Sequence, residues 1–243
     1  MHKIGKVCMI MSKIDFHDMH RLCVAFWGVS CYIRCIFSKK AGISMSSVLS
    51  AKKLTDTKYL NLFELEAVSR SGSSFSYYTA SRIREPEKIK AVTKENQPDG
   101  VIVYGLYEDK VVLIRQFRYP TGDYIYEFPA GILEPGEDVR QAAIREMYEE
   151  TGLDLHPMES GSYSRPFFTS AGLTDESCCM IFGRCTGTPT NCHQEASEDI
   201  QVVLADREEC RRILREEKVA LMCAYMLMFF IAGGDAPFEF LMG

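Results

Sequence analysis

The chain has 243 residues, 47% of them apolar and 25% charged, and its 28 basic against 33 acidic side chains leave a net charge of −5. That composition allows one domain, or one domain with a small partner, around a sizeable core, and it excludes global disorder. With neither a basic excess nor a basic stripe, nucleic acid is excluded as a partner.

Residues 1–44 show no turn-and-strand grammar and are read as an extension, either poorly ordered or lying before a translation start at Met45. The apolar run Leu22 to Phe37 is 16 residues long and interrupted by Arg34, so it falls short of a membrane span. It also has no tidy small-residue cleavage site. The 10 cysteines include no CxxC pair, which argues against a zinc site and for free thiols in a reducing, cytoplasmic setting. Cys192-His193 is only a fragment of a metal site.

From Met45 the periodicity becomes readable. Residues 45–96 form an N-terminal β region, with strands at Tyr59–Leu65 and Phe75–Ala80 joined through Ser71-Gly72. Residues 97–243 form the main domain. Its strands are Val101–Tyr104, Val111–Ile114 and Tyr124–Phe128, with turns at Pro98-Asp99-Gly100, Glu108–Lys110 and Pro120–Asp123. A helix then starts at the N-cap Asp138, repeats Val139, Ala143 and Met147 on one face, and stops at Gly152. Short strands follow at Phe167-Phe168, Cys179–Phe182 and Ile200–Leu204, then helices at Asp206–Glu217 and Val219–Ala232. The last, at 14 residues, is a buried helix and not a span. The order of elements predicts a layered α/β or α+β domain.

The chemistry lies between Gly131 and Leu153. Glu146 stands three residues before Glu149 and four before Glu150, so a helix puts all three on one face. Like charges at that spacing repel, and a solvated face needs no such choice. A hard divalent cation such as Mg²⁺, which prefers carboxylate oxygen, accounts for them.

The full spacing is Gly131, five residues, Glu137, seven residues, Arg145-Glu146, two residues, Glu149-Glu150, one residue, Gly152-Leu153. It resembles the Nudix box, with every defining position filled. The flanks Arg115-Gln116-Phe117-Arg118 and Tyr126–Gly131 resemble the ADP-ribose and ADP-sugar pyrophosphatase branch. The resemblance implies an α/β/α sandwich with a mixed sheet and an antiparallel N-terminal β region. It implies hydrolysis of the diphosphate in ADP-ribose or a related nucleotide-sugar, with AMP and a sugar phosphate as products. It implies Mg²⁺, with Mn²⁺ as the alternative, held by Glu146, Glu149, Glu150 and the backbone carbonyl of Ala130, with Arg145 orienting the glutamates. Tyr77 falls where an aromatic stacks on adenine, and Arg82, Arg118 and Glu127 fall where substrate is held. The general base is Glu198 or Glu195. The branch is a homodimer that shares its N-terminal strands, so residues 45–96 are expected to dimerise. Where the branch carries Ser-Pro-Gly, this chain has Ser170-Ala171-Gly172, which leaves the substrate open. A non-catalytic ADP-ribose sensor is the competing class.

Overall fold

The computed structural model describes residues 45–159, 165–194, 198–234, 238 and 241. The expectations for residues 1–44 and for Glu195 lie outside the described residues. The chain divides into two compact units, one of residues 1–47 with 68–73 and one of residues 48–67 with 74–243. In the first, the described turn is closed by the Ser69 amide donating to the Ser73 carbonyl at 2.9 Å, with Gly72 at φ +84°. Apart from the strand ends Ser47 and Val68, the elements below belong to the second unit.

Its N-terminal sheet has the order β1 (Ser47–Lys53), β2 (Asn61–Val68), β3 (Ser74–Ser81). Alternate residues of β2 are buried, and Phe63 and Leu65 pack with Ile89. A short helix α1 (Lys90–Thr93) leads to the main sheet. That sheet contains β4 (Gly100–Tyr107), β5 (Lys110–Arg118), β6 (Asp123–Glu127), β7 (Ala130–Ile132), β8 (Leu153–Pro157), β9 (Phe167–Phe168), β10 (Ser177–Gly187) and β11 (Ile200–Ala205). Its central path runs β11-β5-β4-β10-β8, with β6 on β5, β7 on β4 and β9 on β10. β10 lies parallel to β4 and antiparallel to β8, which makes the sheet mixed.

Both faces are covered, because period-two alternation sends neighbouring residues to opposite sides. Val101, Val103, Val112 and Ile181 meet Ala142, Ala143 and Met147 of α2 (Val139–Thr151). Tyr104, Leu106, Leu113 and Phe182 meet α3 (Arg207–Glu216) and α4 (Leu221–Ala232). The α/β/α sandwich with a mixed sheet and an antiparallel N-terminal sheet is therefore the observed fold. Among the described residues no helix is long and apolar enough to cross a membrane.

Three strands exceed what patterning predicts. β1 lacks regular alternation, β7 has three residues, and β8 buries only Leu153 and Leu155 directly after a helix stop. The last helix begins at Leu221 and not at Val219. Val219 bridges Tyr126, whose amide takes the Lys218 carbonyl at 2.8 Å and whose carbonyl takes the Ala220 amide at 3.0 Å.

Candidate active site

Helix α2 carries the acidic face, and its ends are fixed locally. Asp138 caps the start by accepting the Arg140 amide at 2.7 Å and the Gln141 amide at 3.2 Å. Gly152 ends it in the left-handed region at φ +72°, its amide donating to Tyr148 at 2.8 Å. Those limits turn Glu146 and Glu150 inward, so both are buried, while Glu149 stays half-exposed.

Glu150 is 2% exposed and accepts the Ala130 amide at 3.0 Å through Oε2. Burial, and then the charge of Glu146, push its carboxyl well above the usual carboxylate range; Glu198 adds to the rise. The Ala130 amide and the Arg118 charge act the other way. Burial also raises Glu146, against the pull of Arg145. Glu146 lies over Gly131 so closely that a Cβ there would stand 1.8 Å from Oε1. Glycine is needed for that approach, not for a turn.

Arg145 ties the charges together. Nε and Nη2 donate to the two Glu137 oxygens, each at 2.9 Å. Nη1 reaches Glu146 Oε1 at 2.7 Å and Glu149 Oε2 at 3.0 Å. The paired guanidinium holds Glu137 below its ordinary pKa. Sequence marked Glu137 as a fixed position without a role; its role here is to anchor Arg145.

A divalent cation fits this donor set. A buried carboxylate receives one backbone amide and is raised further by two neighbouring carboxylates, and such a charge calls for a cation. Among the described residues no three His, Cys, Asp or Glu side chains converge in ligating geometry. Arg145 holds Glu146 and Glu149 in ion pairs instead.

Of the expected substrate residues, Arg118 is tied to this centre, while Tyr77 and Arg82 meet a different segment. Arg118 pairs with Glu127 at 2.5 Å, and its charge is felt at Glu150. Tyr77 and Arg82 come from β3 and its end. The Tyr77 hydroxyl donates to the Gly172 carbonyl at 2.9 Å, and Arg82 Nε pairs with Glu176 at 2.8 Å. Between them the Ala80 amide takes the Leu173 carbonyl at 2.8 Å, and Ser81 Oγ donates to Asp175 at 3.1 Å. The segment that departs from Ser-Pro-Gly is thus the strip that docks on β3. No sequence spacing announces that contact, because its two sides lie more than 90 residues apart.

A buried anchor stands behind the strip. Lys90 Nζ donates to Asp99 at 2.5 Å and to Ser177 Oγ at 2.6 Å, and its amide donates to Asp175 at 3.2 Å. Sequence reasoning missed it, since Lys90 stands among Lys88 and Lys94 and a lysine in such a run reads as solvated.

A cavity of about 500 Å³ opens elsewhere, lined by Ile102, Phe167, Met180, Phe182, Tyr225 and Phe229. None of the acidic residues lines it, so it offers no donors for the chemistry described above.

The NUDIX domain family matches residues 96–219. The chain is similar to an Escherichia coli ADP-ribose pyrophosphatase, 34% identical over 175 residues that cover 68% of this chain and 78% of the relative. It is similar to a Saccharomyces cerevisiae ADP-ribose pyrophosphatase, 37% identical over 136 residues, 54% of each chain. Against other curated relatives the chain spans 35% to 65% of their length. A crystal structure of an ADP compounds hydrolase superposes with a TM-score of 0.57 at 16% identity, covering 79% of this chain and 94% of that one, which shows a shared fold.

Proposed function

The chain belongs to the NUDIX domain family, and from that premise we propose that it hydrolyses the diphosphate of ADP-ribose or a related nucleotide-sugar to AMP and a sugar phosphate. One observation carries the reading: Glu150 is buried against the Ala130 amide on the same helix face as buried Glu146, in the helix at the centre of the Nudix spacing. A divalent cation, Mg²⁺ or Mn²⁺, held by Glu146, Glu149, Glu150 and the Ala130 carbonyl would offset the diphosphate charge and make water more acidic.

The chain's own residues do the rest. Glu198 takes the proton from the attacking water as general base. Water oxygen bonds to one phosphorus, and the bridging oxygen leaves with the other phosphate. Arg118 and Arg82 exchange Glu127 and Glu176 for anionic oxygens of the substrate. Tyr77 offers its half-exposed ring to the adenine. Arg145 keeps Glu146 and Glu149 in place through its anchor on Glu137.

The working unit in this reading is a homodimer built through residues 45–96. Support comes from the exposed Leu62, Phe75 and Tyr78 on its three-stranded sheet. The described cysteines are free thiols, which supports a reducing, cytoplasmic setting. The test is a panel of nucleoside diphosphate derivatives with Mg²⁺, scored for AMP. Release from ADP-ribose or an ADP-sugar is expected. Tight binding of ADP-ribose with no AMP released would identify a sensor instead.

A further inference from the structure

We propose that the buried side-chain oxygen of Gln116 accepts a hydrogen bond from an O–H group brought in with the substrate, a sugar hydroxyl or a water carried by the cation, which makes Gln116 a specificity-determining residue. The inference rests on the reading of the α2 carboxylates as a hydrolytic site and deepens it.

Among the described residues, two buried side-chain polar atoms have no hydrogen-bond partner, the Tyr104 hydroxyl and Gln116 Oε1. The Tyr104 ring packs against Phe128, Phe182 and Phe238, with centroids 5.4, 5.8 and 6.0 Å away, in the apolar layer under α3 and α4. Gln116 is placed differently. It is 8% exposed and lies on β5 opposite Ile125 of β6 and Ile200 of β11. Directly opposed residues of antiparallel strands share a face, so the amide has an isoleucine on each side, and neither side chain offers a donor. Along its own strand the neighbours on that face are Ile114 and Arg118. Ile114 has no donor either, and Arg118 turns Nε to Glu127 at 2.5 Å. A buried acceptor left unpaired weakens the free protein, and a bound donor restores what is lost.

The face is that of the carboxylates. Gln116 has the parity of Val112, which packs with Ala142, Ala143 and Met147 of α2, the helix that carries Glu146 and Glu150. The strand opposite Gln116 also leads into the site. β6 passes from Ile125 to Glu127, the partner of Arg118, and three residues later the Ala130 amide donates to Glu150 at 3.0 Å. Arg118 follows Gln116 by two residues, about 7 Å along the strand. A group joined to a phosphate on Arg118 can therefore reach the amide.

Chemistry selects the ligand. An amide oxygen accepts and does not donate, so it cannot pair with an ionised phosphate oxygen, which also accepts. In a nucleotide-sugar the donors closest to the phosphates are the hydroxyls of the sugars they join. A divalent cation keeps several waters, whose O–H bonds suit the same acceptor.

The test uses Gln116→Met and Gln116→Leu, which remove the acceptor and keep an apolar side chain of similar size. In protein free of metal and substrate, at least one of them should raise the thermal midpoint, because an unpaired buried acceptor is gone. A lower midpoint in both would show that the oxygen already has a partner in the free protein, such as a resident water, and would overturn the proposal. Titration calorimetry then reads the ligand. In Mg²⁺, AMP or ribose 5-phosphate should bind the variants about three- to tenfold more weakly than wild type, the scale of one hydrogen bond. If Mn²⁺ alone is weakened by the same factor, the donor is a water on the cation. If Mn²⁺ binds as in wild type, the donor is a sugar hydroxyl. Wild-type affinity of both variants for Mn²⁺ and for both products would overturn the proposal, even where the wild type releases AMP from ADP-ribose. If the wild type binds the products but releases no AMP, the hydrolase reading fails, while the calorimetry still decides the role of Gln116.

Discussion

Glu150 is an acid that the fold buries beside two other acids, and its behaviour follows from that placement. Replacing it with Gln keeps the size and removes the charge. AMP release should fall by about one to two orders of magnitude, the scale of lost charge stabilisation; near-normal turnover would sink the metal assignment. Metal-free protein should respond in the opposite sense. The folded pKa of Glu150 is raised, so the stability tied to it is present below the ordinary carboxylate value and lost as pH rises through the raised value. In EDTA, wild type should lose thermal midpoint as pH rises above the ordinary carboxylate range, and Glu150→Gln should lose less. Gly131 gives a second prediction. A methyl there meets the end of the Glu146 side chain at 1.8 Å, a group that can swing away. Gly131→Ala should leave the thermal midpoint nearly unchanged yet weaken Mn²⁺ binding, as read by titration calorimetry.

Helix α2 holds the site because both of its ends are specified by single residues. Asp138 satisfies two orphan amides, so Asp138→Ala should destabilise by about 1 kcal/mol in urea denaturation, with KM unchanged. Strand β3 matters in another way. Its Tyr77, Ser81 and the adjoining Arg82 grip the 172–176 strip, and the Tyr77 ring remains half-exposed. If that ring stacks on adenine, Tyr77→Ala should raise KM more than it lowers kcat, since stacking acts alike on ground and transition states. Unchanged KM would reject the stacking role.

The N-terminal sheet is backed on one side by Phe63, Leu65 and Ile89, while Leu62 and Tyr78 remain exposed. An exposed three-stranded surface of this kind needs cover, and a second copy of the chain is the proposed source. Light scattering should give twice the mass of the 243-residue chain, and an active monomer would reject the dimer.

The Nudix spacing, the cap at Asp138, the stop at Gly152 and the layered fold class could all be read from residue order. Each depends on neighbours within a turn or two of one helix, or on alternation along one strand. The burial of Glu150 and the anchor of Arg145 on Glu137 could not, because both depend on what the rest of the chain stacks nearby. The same holds for the 172–176 strip on β3 and for Lys90 between Asp99 and Ser177. These contacts join residues with no local periodicity in common, so only packing brings them together. A linear pattern records which side chains a helix face presents, but not which distant loop will come to lie across it.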